Sequence, residues 1–98
     1  NMVHIAHNCV IGVNCIIAGM VGLAGSTTLE DFVVMGAKSG AVGHITIGSG
    51  SQIAAKAGVS KSLPPGKKWA GFPIREMNLW KRDLLSIRKL SKGKKNDK

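Results

Sequence analysis

The sequence predicts an all-β parallel β-helix over residues 1–63, followed by a C-terminal α-helix. Two features point there: a period of six in the apolar residues, and a glycine-rich composition almost without aromatics. Stepping by six from Ile5 gives Ile11, Ile17, Leu23, Leu29, Met35, Ala41, Ile47, Ile53 and Val59, all apolar. The next residue in each hexad is small at Ala6, Gly12, Ala18, Ala24, Gly36, Gly48, Ala54 and Ser60, which suits a tight corner. Four residues after each apolar position stand Cys9, Cys15, Val21, Thr27, Val33, Ser39, Ile45, Ser51, Ala57 and Leu63, none of them charged.

A period of six smears apolar residues around an α-helix of 3.6 residues per turn, but keeps them on one side of an extended chain. It is the signature of a parallel β-helix, in which three hexads close a triangular coil of about 18 residues. Successive coils then stack at the strand spacing of roughly 4.8 Å. Residues 5–63 leave no room for crossover helices between ordinary parallel strands. Thirteen glycines, 4% aromatic residues and no tyrosine suit thin, regular layers.

The pattern stops at Pro64-Pro65-Gly66, where two prolines and a glycine end strand pairing. A connector is expected over 64–74. From residue 75 to 92 the spacing changes: Met77, Trp80, Leu84 and Ile87, widened by Leu79, Leu85 and Leu90, form an amphipathic helix. Residues 93–98 read as a disordered tail.

The chain opens at Asn1 in mid-pattern and reads as a fragment, with no signal-peptide architecture. It has no apolar run of the roughly 18 residues that a transmembrane helix needs. Cys9 and Cys15 match neither a short zinc spacing nor a redox C-x-x-C pair, so free thiols and a cytoplasmic location are expected. The net charge of +9 lies wholly beyond residue 60, where twelve of the fourteen Lys and Arg stand. A neutral body carries a basic tail. That charge lacks a nucleic-acid motif, so no nucleic acid is expected; membrane contact is at most peripheral.

Three histidines are available for chemistry. His7 is third in its hexad and projects outward. His44 follows 37 residues later, two coils plus one residue, which places both on the same face roughly 10 Å apart. One coil beyond His7 is Gly25, between Ala24 and Ser26, where a backbone N–H can approach a ligand closely. A neutral imidazole and a backbone donor suit acyl transfer to an amine or hydroxyl. Ser26 lacks a G-x-S-x-G setting, and Gly19, Gly22 and Gly25 fit no phosphate-loop motif.

The stretches Val3-His4-Ile5-Ala6-His7-Asn8, Gly19 to Ser26 and Val42-Gly43-His44-Ile45-Thr46-Ile47-Gly48 resemble the UDP-3-O-acylglucosamine N-acyltransferase family of the lipid A pathway. That family belongs to the hexapeptide-repeat transferases. The likeness covers about residues 1–82, and the Pro-Pro-Gly and Ala-Gly-Phe-Pro connector is similar across the wider group. The resemblance implies a left-handed β-helix and a cytoplasmic homotrimer. It implies transfer of a 3-hydroxyacyl group from acyl carrier protein to the 2-amine of UDP-3-O-acylglucosamine. His7 maps to the general base, Gly25 to the oxyanion glycine, and His44, Asn8 and Ser26 to substrate binding. No cofactor is bound permanently; the carrier's phosphopantetheine is the donor arm. An acidic carrier fits Lys61, Lys67, Lys68, Arg82 and Arg88. No metal is expected, because the His-x₄-His pair of the carbonic anhydrases on this fold is absent. The alternatives are the pathway's sister O-acyltransferase, a coenzyme A-dependent sugar acetyltransferase and a non-catalytic β-helix scaffold.

Overall fold

The computed structural model describes residues 2–72 and 74–96, with side chains as far as 91. Ten two-residue strands wind as a parallel β-helix. In order they are β1 (His4–Ile5), β2 (Val10–Ile11), β3 (Ile16–Ile17), β4 (Gly22–Leu23) and β5 (Thr28–Leu29). Then come β6 (Val34–Met35), β7 (Gly40–Ala41), β8 (Thr46–Ile47), β9 (Gln52–Ile53) and β10 (Gly58–Val59). Every third strand stacks. The first face is β1-β4-β7-β10, the second β2-β5-β8, and the third begins β3-β6-β9. The register advances by one coil each time, His4 on Gly22 on Gly40 on Gly58.

A two-residue strand has no stability of its own; the stack supplies it. The second residue of each strand points inward, so Leu23, Leu29, Met35, Ile47, Ile53 and Val59 are buried. Each buried side chain of this size contributes about 1.5–3 kcal/mol. Ile5 and Ile11, in the first coil, stay 44% and 37% exposed because no described coil lies beneath them. The row four residues on also turns inward. Its hydroxyls are satisfied by corner carbonyls: Thr27 Oγ1 bonds Ala24 O (2.7 Å) and Val42 O (3.0 Å), and Ser39 Oγ donates to Gly36 O (2.6 Å). Cys9 and Cys15 are free and half-buried, donating to Ala24 O and Glu30 O.

One left-handed residue turns each corner, again every six: Asn8, Asn14, Met20, Ser26, Phe32, Lys38, His44, Gly50 and Lys56. None is β-branched, the class for which positive φ costs most. This corrects the expected role of the small residues. They stand two positions before the left-handed residue, where the next coil's backbone comes close. A Cβ on Gly36 would meet Ile53 O at 2.7 Å, and one on Gly48 would meet Pro64 C at 2.7 Å.

The prolines do not end the coil. Leu63 bridges Ile47, and β11 (Lys68–Ala70) pairs with β9 in parallel, extending the third face inside the expected connector. These pairs lie 16 residues apart rather than 18, so the turn at 60–62 is two residues short. The shift moves Leu63 into the column of Ile47 and seats Trp69 on Ile53. Trp69, Ala70 and Ile74 close this end of the core. Among the described residues the Trp69 Nε1 has no hydrogen-bond partner, and Lys61 Nζ lies 5.9 Å from its ring centroid.

β12 (Arg75–Glu76) returns antiparallel on β11, so α1 (Met77–Asn96) starts two residues later than expected. It also continues through 93–96, which were expected in the tail, since Gly93 alone is too weak a breaker to end it. Residues 97–98 lie outside the described residues. Arg75 Nε–Asp83 Oδ2 (3.5 Å) and Lys67 Nζ–Glu76 Oε2 (3.3 Å) tie the helix base to the prism. No helix of the described residues is long and apolar enough to cross a membrane.

Candidate active site

The corner between the first and second faces carries residues 7–8, 25–26 and 43–44 in three stacked coils. His7, Asn8, Gly25, Ser26 and His44, the expected site residues, are therefore brought to one corner. The backbone zips the column together. Ser26 N–H donates to His7 O (2.8 Å) and His44 N–H to Gly25 O (3.1 Å). The two histidines are not equivalent. His7 occupies the position stacked under Gly25 and Gly43, whereas His44 holds the left-handed position above Asn8 and Ser26, with φ of 61°. Both are exposed, two coils or roughly 10 Å apart, so a ligand rather than a direct contact would link them.

Gly25 has no packing reason to be glycine. Its φ is not left-handed, and an added Cβ would meet only His7 O, at an ordinary 3.6 Å. By contrast, a Cβ on Gly43 would meet Gly25 O at 2.7 Å. Among the described residues, the Gly25 N–H donates to no protein acceptor. An unengaged donor one coil from an exposed imidazole can receive the oxygen of a tetrahedral intermediate while the imidazole takes a proton.

The first face beside this corner escaped the sequence reading. Its outward positions are His4, Gly22, Gly40 and Gly58, so three coils present bare backbone. A shallow, mostly apolar depression runs along it from His4 past Gly40 to Gly58, where the Phe72 ring crosses Gly58. The signal was available: stepping by 18 from His4 gives three glycines.

The expected carrier-binding cations divide. Lys61 stands at the same corner one coil beyond His44, in the shortened turn. Lys67 pairs with Glu76 at the next corner, and Lys68 faces out from β11. Arg82 and Arg88 are exposed on α1, on a different element from the corner.

No family model matches the chain. Among curated proteins it is 48% identical over 98 residues to a UDP-3-O-acylglucosamine N-acyltransferase of Methylorubrum populi, covering 99% of this chain and 28% of that protein. It is 53% identical over 79 residues to the enzyme so named in Campylobacter curvus, covering 80% and 25%. The chain is a relative of the UDP-3-O-acylglucosamine N-acyltransferases. It matches a C-terminal part of these N-acyltransferases and spans about a quarter of their length. Solved structures carry the fold into a wider group. A serine acetyltransferase of Brucella abortus, in complex with coenzyme A, superposes with a TM-score of 0.69 at 30% identity over 74% of this chain and 32% of that one. One from Neisseria gonorrhoeae, in complex with serine, gives 0.67 at 29% identity over 74% and 36%.

Proposed function

We propose that the protein transfers a 3-hydroxyacyl group from acyl carrier protein to the 2-amine of UDP-3-O-acylglucosamine, with His7 as general base. The observation that carries this is the pairing of exposed His7 with the unengaged Gly25 N–H in the next coil. The amine attacks the thioester carbonyl, its proton passes to His7, and the Gly25 N–H stabilises the oxyanion. Collapse breaks the C–S bond, and the proton goes to the leaving thiolate of the carrier's phosphopantetheine. No nucleophilic side chain and no permanently bound cofactor are required. His44, Asn8 and Ser26, in the same column, bind the substrate.

The chain acts as a homotrimer in this reading. Val10, Val13, Ile16 and Phe32 are 58–61% exposed around the edge between the second and third faces, an apolar strip suited to a neighbouring prism. Lys61, Lys67, Lys68, Arg82 and Arg88 draw in the acidic carrier by opposite potential. A cytoplasmic location follows from that donor.

The test is acyl transfer by the full-length protein, with 3-hydroxyacyl carrier protein and UDP-3-O-acylglucosamine, wild type beside His7→Ala. Turnover that the substitution removes supports the reaction and the base together. A folded protein that uses acetyl coenzyme A instead would move it to the second reading, a coenzyme A-dependent acetyltransferase like its structural neighbours. No turnover with either donor leaves a scaffold.

A further inference from the structure

We infer that His4 selects the acyl donor by its 3-hydroxyl, through a hydrogen bond to that group beside the Gly25 amide. This rests on the reaction proposed above and gives a place to the histidine that it leaves unused. His4 is exposed and faces outward from β1, at the head of the column that continues as Gly22, Gly40 and Gly58. The glycine stacked on it leaves open space. A Cβ added to Gly22 would meet nothing within 4 Å, and its φ is not left-handed, so neither packing nor a turn requires glycine there. Gly58 differs, because the Phe72 ring lies over it and fills the space that a side chain would take.

One depression joins His4 to Gly25, with Gly22, Ala24, Gly40 and Ala41 also lining it, and His7 is not among its walls. Bare backbone and small or apolar side chains make up the rest. Among the described residues, the imidazole is the only hydrogen-bonding side chain there. An acyl chain matches such walls everywhere except at its hydroxyl. A hydroxyl both donates and accepts, and a neutral imidazole does the same through its two nitrogens. Reach agrees with this. His4 stacks on Gly22, so Gly25 stands three residues further along and one coil up. That is roughly 10 Å along the strand direction and roughly 4.8 Å across it. With the donor carbonyl at the Gly25 N–H, its 3-hydroxyl is two carbons further on, and the His4 side chain extends to meet it. The hydroxyl is the donor's, because the carbonyl held at Gly25 is the donor's. A donor without it leaves the imidazole unpaired against an apolar chain, which disfavours that donor.

The experiment is steady-state acyl transfer by the full-length protein as wild type, His4→Phe and His4→Gln. Two carrier-bound donors of equal chain length are compared, one 3-hydroxyacyl and one unsubstituted. Wild type should favour the hydroxylated donor about 10–100-fold in kcat/KM. His4→Phe keeps a ring without hydrogen-bonding atoms, so the preference should fall to near parity, through loss on the hydroxylated donor alone. His4→Gln keeps a donor and an acceptor and should restore much of it. His4 is exposed, so the three proteins should melt together. A wild type without preference, an unchanged preference in His4→Phe, or an equal loss on both donors overturns the assignment and leaves the reaction standing. A change confined to the KM of UDP-3-O-acylglucosamine would move His4 to the acceptor and overturn it too. A wild type that turns over neither carrier-bound donor overturns the reaction and this inference with it.

Discussion

The first and second corners of the prism share one backbone and differ in what stands on it. At the second, Asp31 Oδ1 accepts from Val13 N–H (2.9 Å) and Glu30 Oε1 from Ser49 N–H (3.1 Å). At the first, the equivalent amides of His7, Gly25 and Gly43 donate to no protein acceptor among the described residues. The repeat produces the same outward donors at every corner. Carboxylates take up two of them at the second corner, and at the first they are open beside two imidazoles. At the third, the amides of Gly19, Ala37 and Ala55 also donate to no protein acceptor among the described residues, with no histidine there. Glu30 and Asp31 are the only acids in residues 1–60, and both belong to the second corner.

The strongest way to break this contrast is His7→Ala. Its exposed side chain supports no packing, so the melting temperature should hold while kcat falls about 10²–10⁴-fold in steady-state assays. Gly25→Asp gives the first corner the residue found at the equivalent place in the second. The space allows it, so the protein should fold, while a carboxylate in the oxyanion position should cut kcat about 10²–10³-fold. Wild-type turnover in this variant would remove Gly25 from the chemistry. Thr27→Val removes a buried hydroxyl behind the first corner, leaving Ala24 O and Val42 O without that donor, and should cost about 1–3 kcal/mol in urea unfolding. Asp31→Ala should show the smallest effect, about 0.5–1.5 kcal/mol of stability with kcat unchanged.

The inward column from Ile5 to Val59 was legible because a period of six matches the geometry of a triangular coil, whatever the outward residues are. The corner shared by His7, Gly25 and His44 was legible for the same reason, through counts of 18 and 37. What misled was local chemistry. Pro64-Pro65-Gly66 reads as a stop, yet Lys68–Ala70 rejoin the stack, since proline removes a donor without preventing later residues from pairing. Arg75 and Glu76 fit a helical pattern but are taken by pairing to Trp69 and Ala70.

By itself the sequence determined the coil, its inner columns and the residues that share the first corner, because each depends only on spacing along a repeating chain. It left the handedness to the family resemblance. The two-residue contraction at 60–62, the seat of Trp69 on Ile53, the unengaged Gly25 amide and the bare glycine face were decided by tertiary structure alone. Each depends on which atoms of one coil meet those of the next, and a period in one dimension does not specify that.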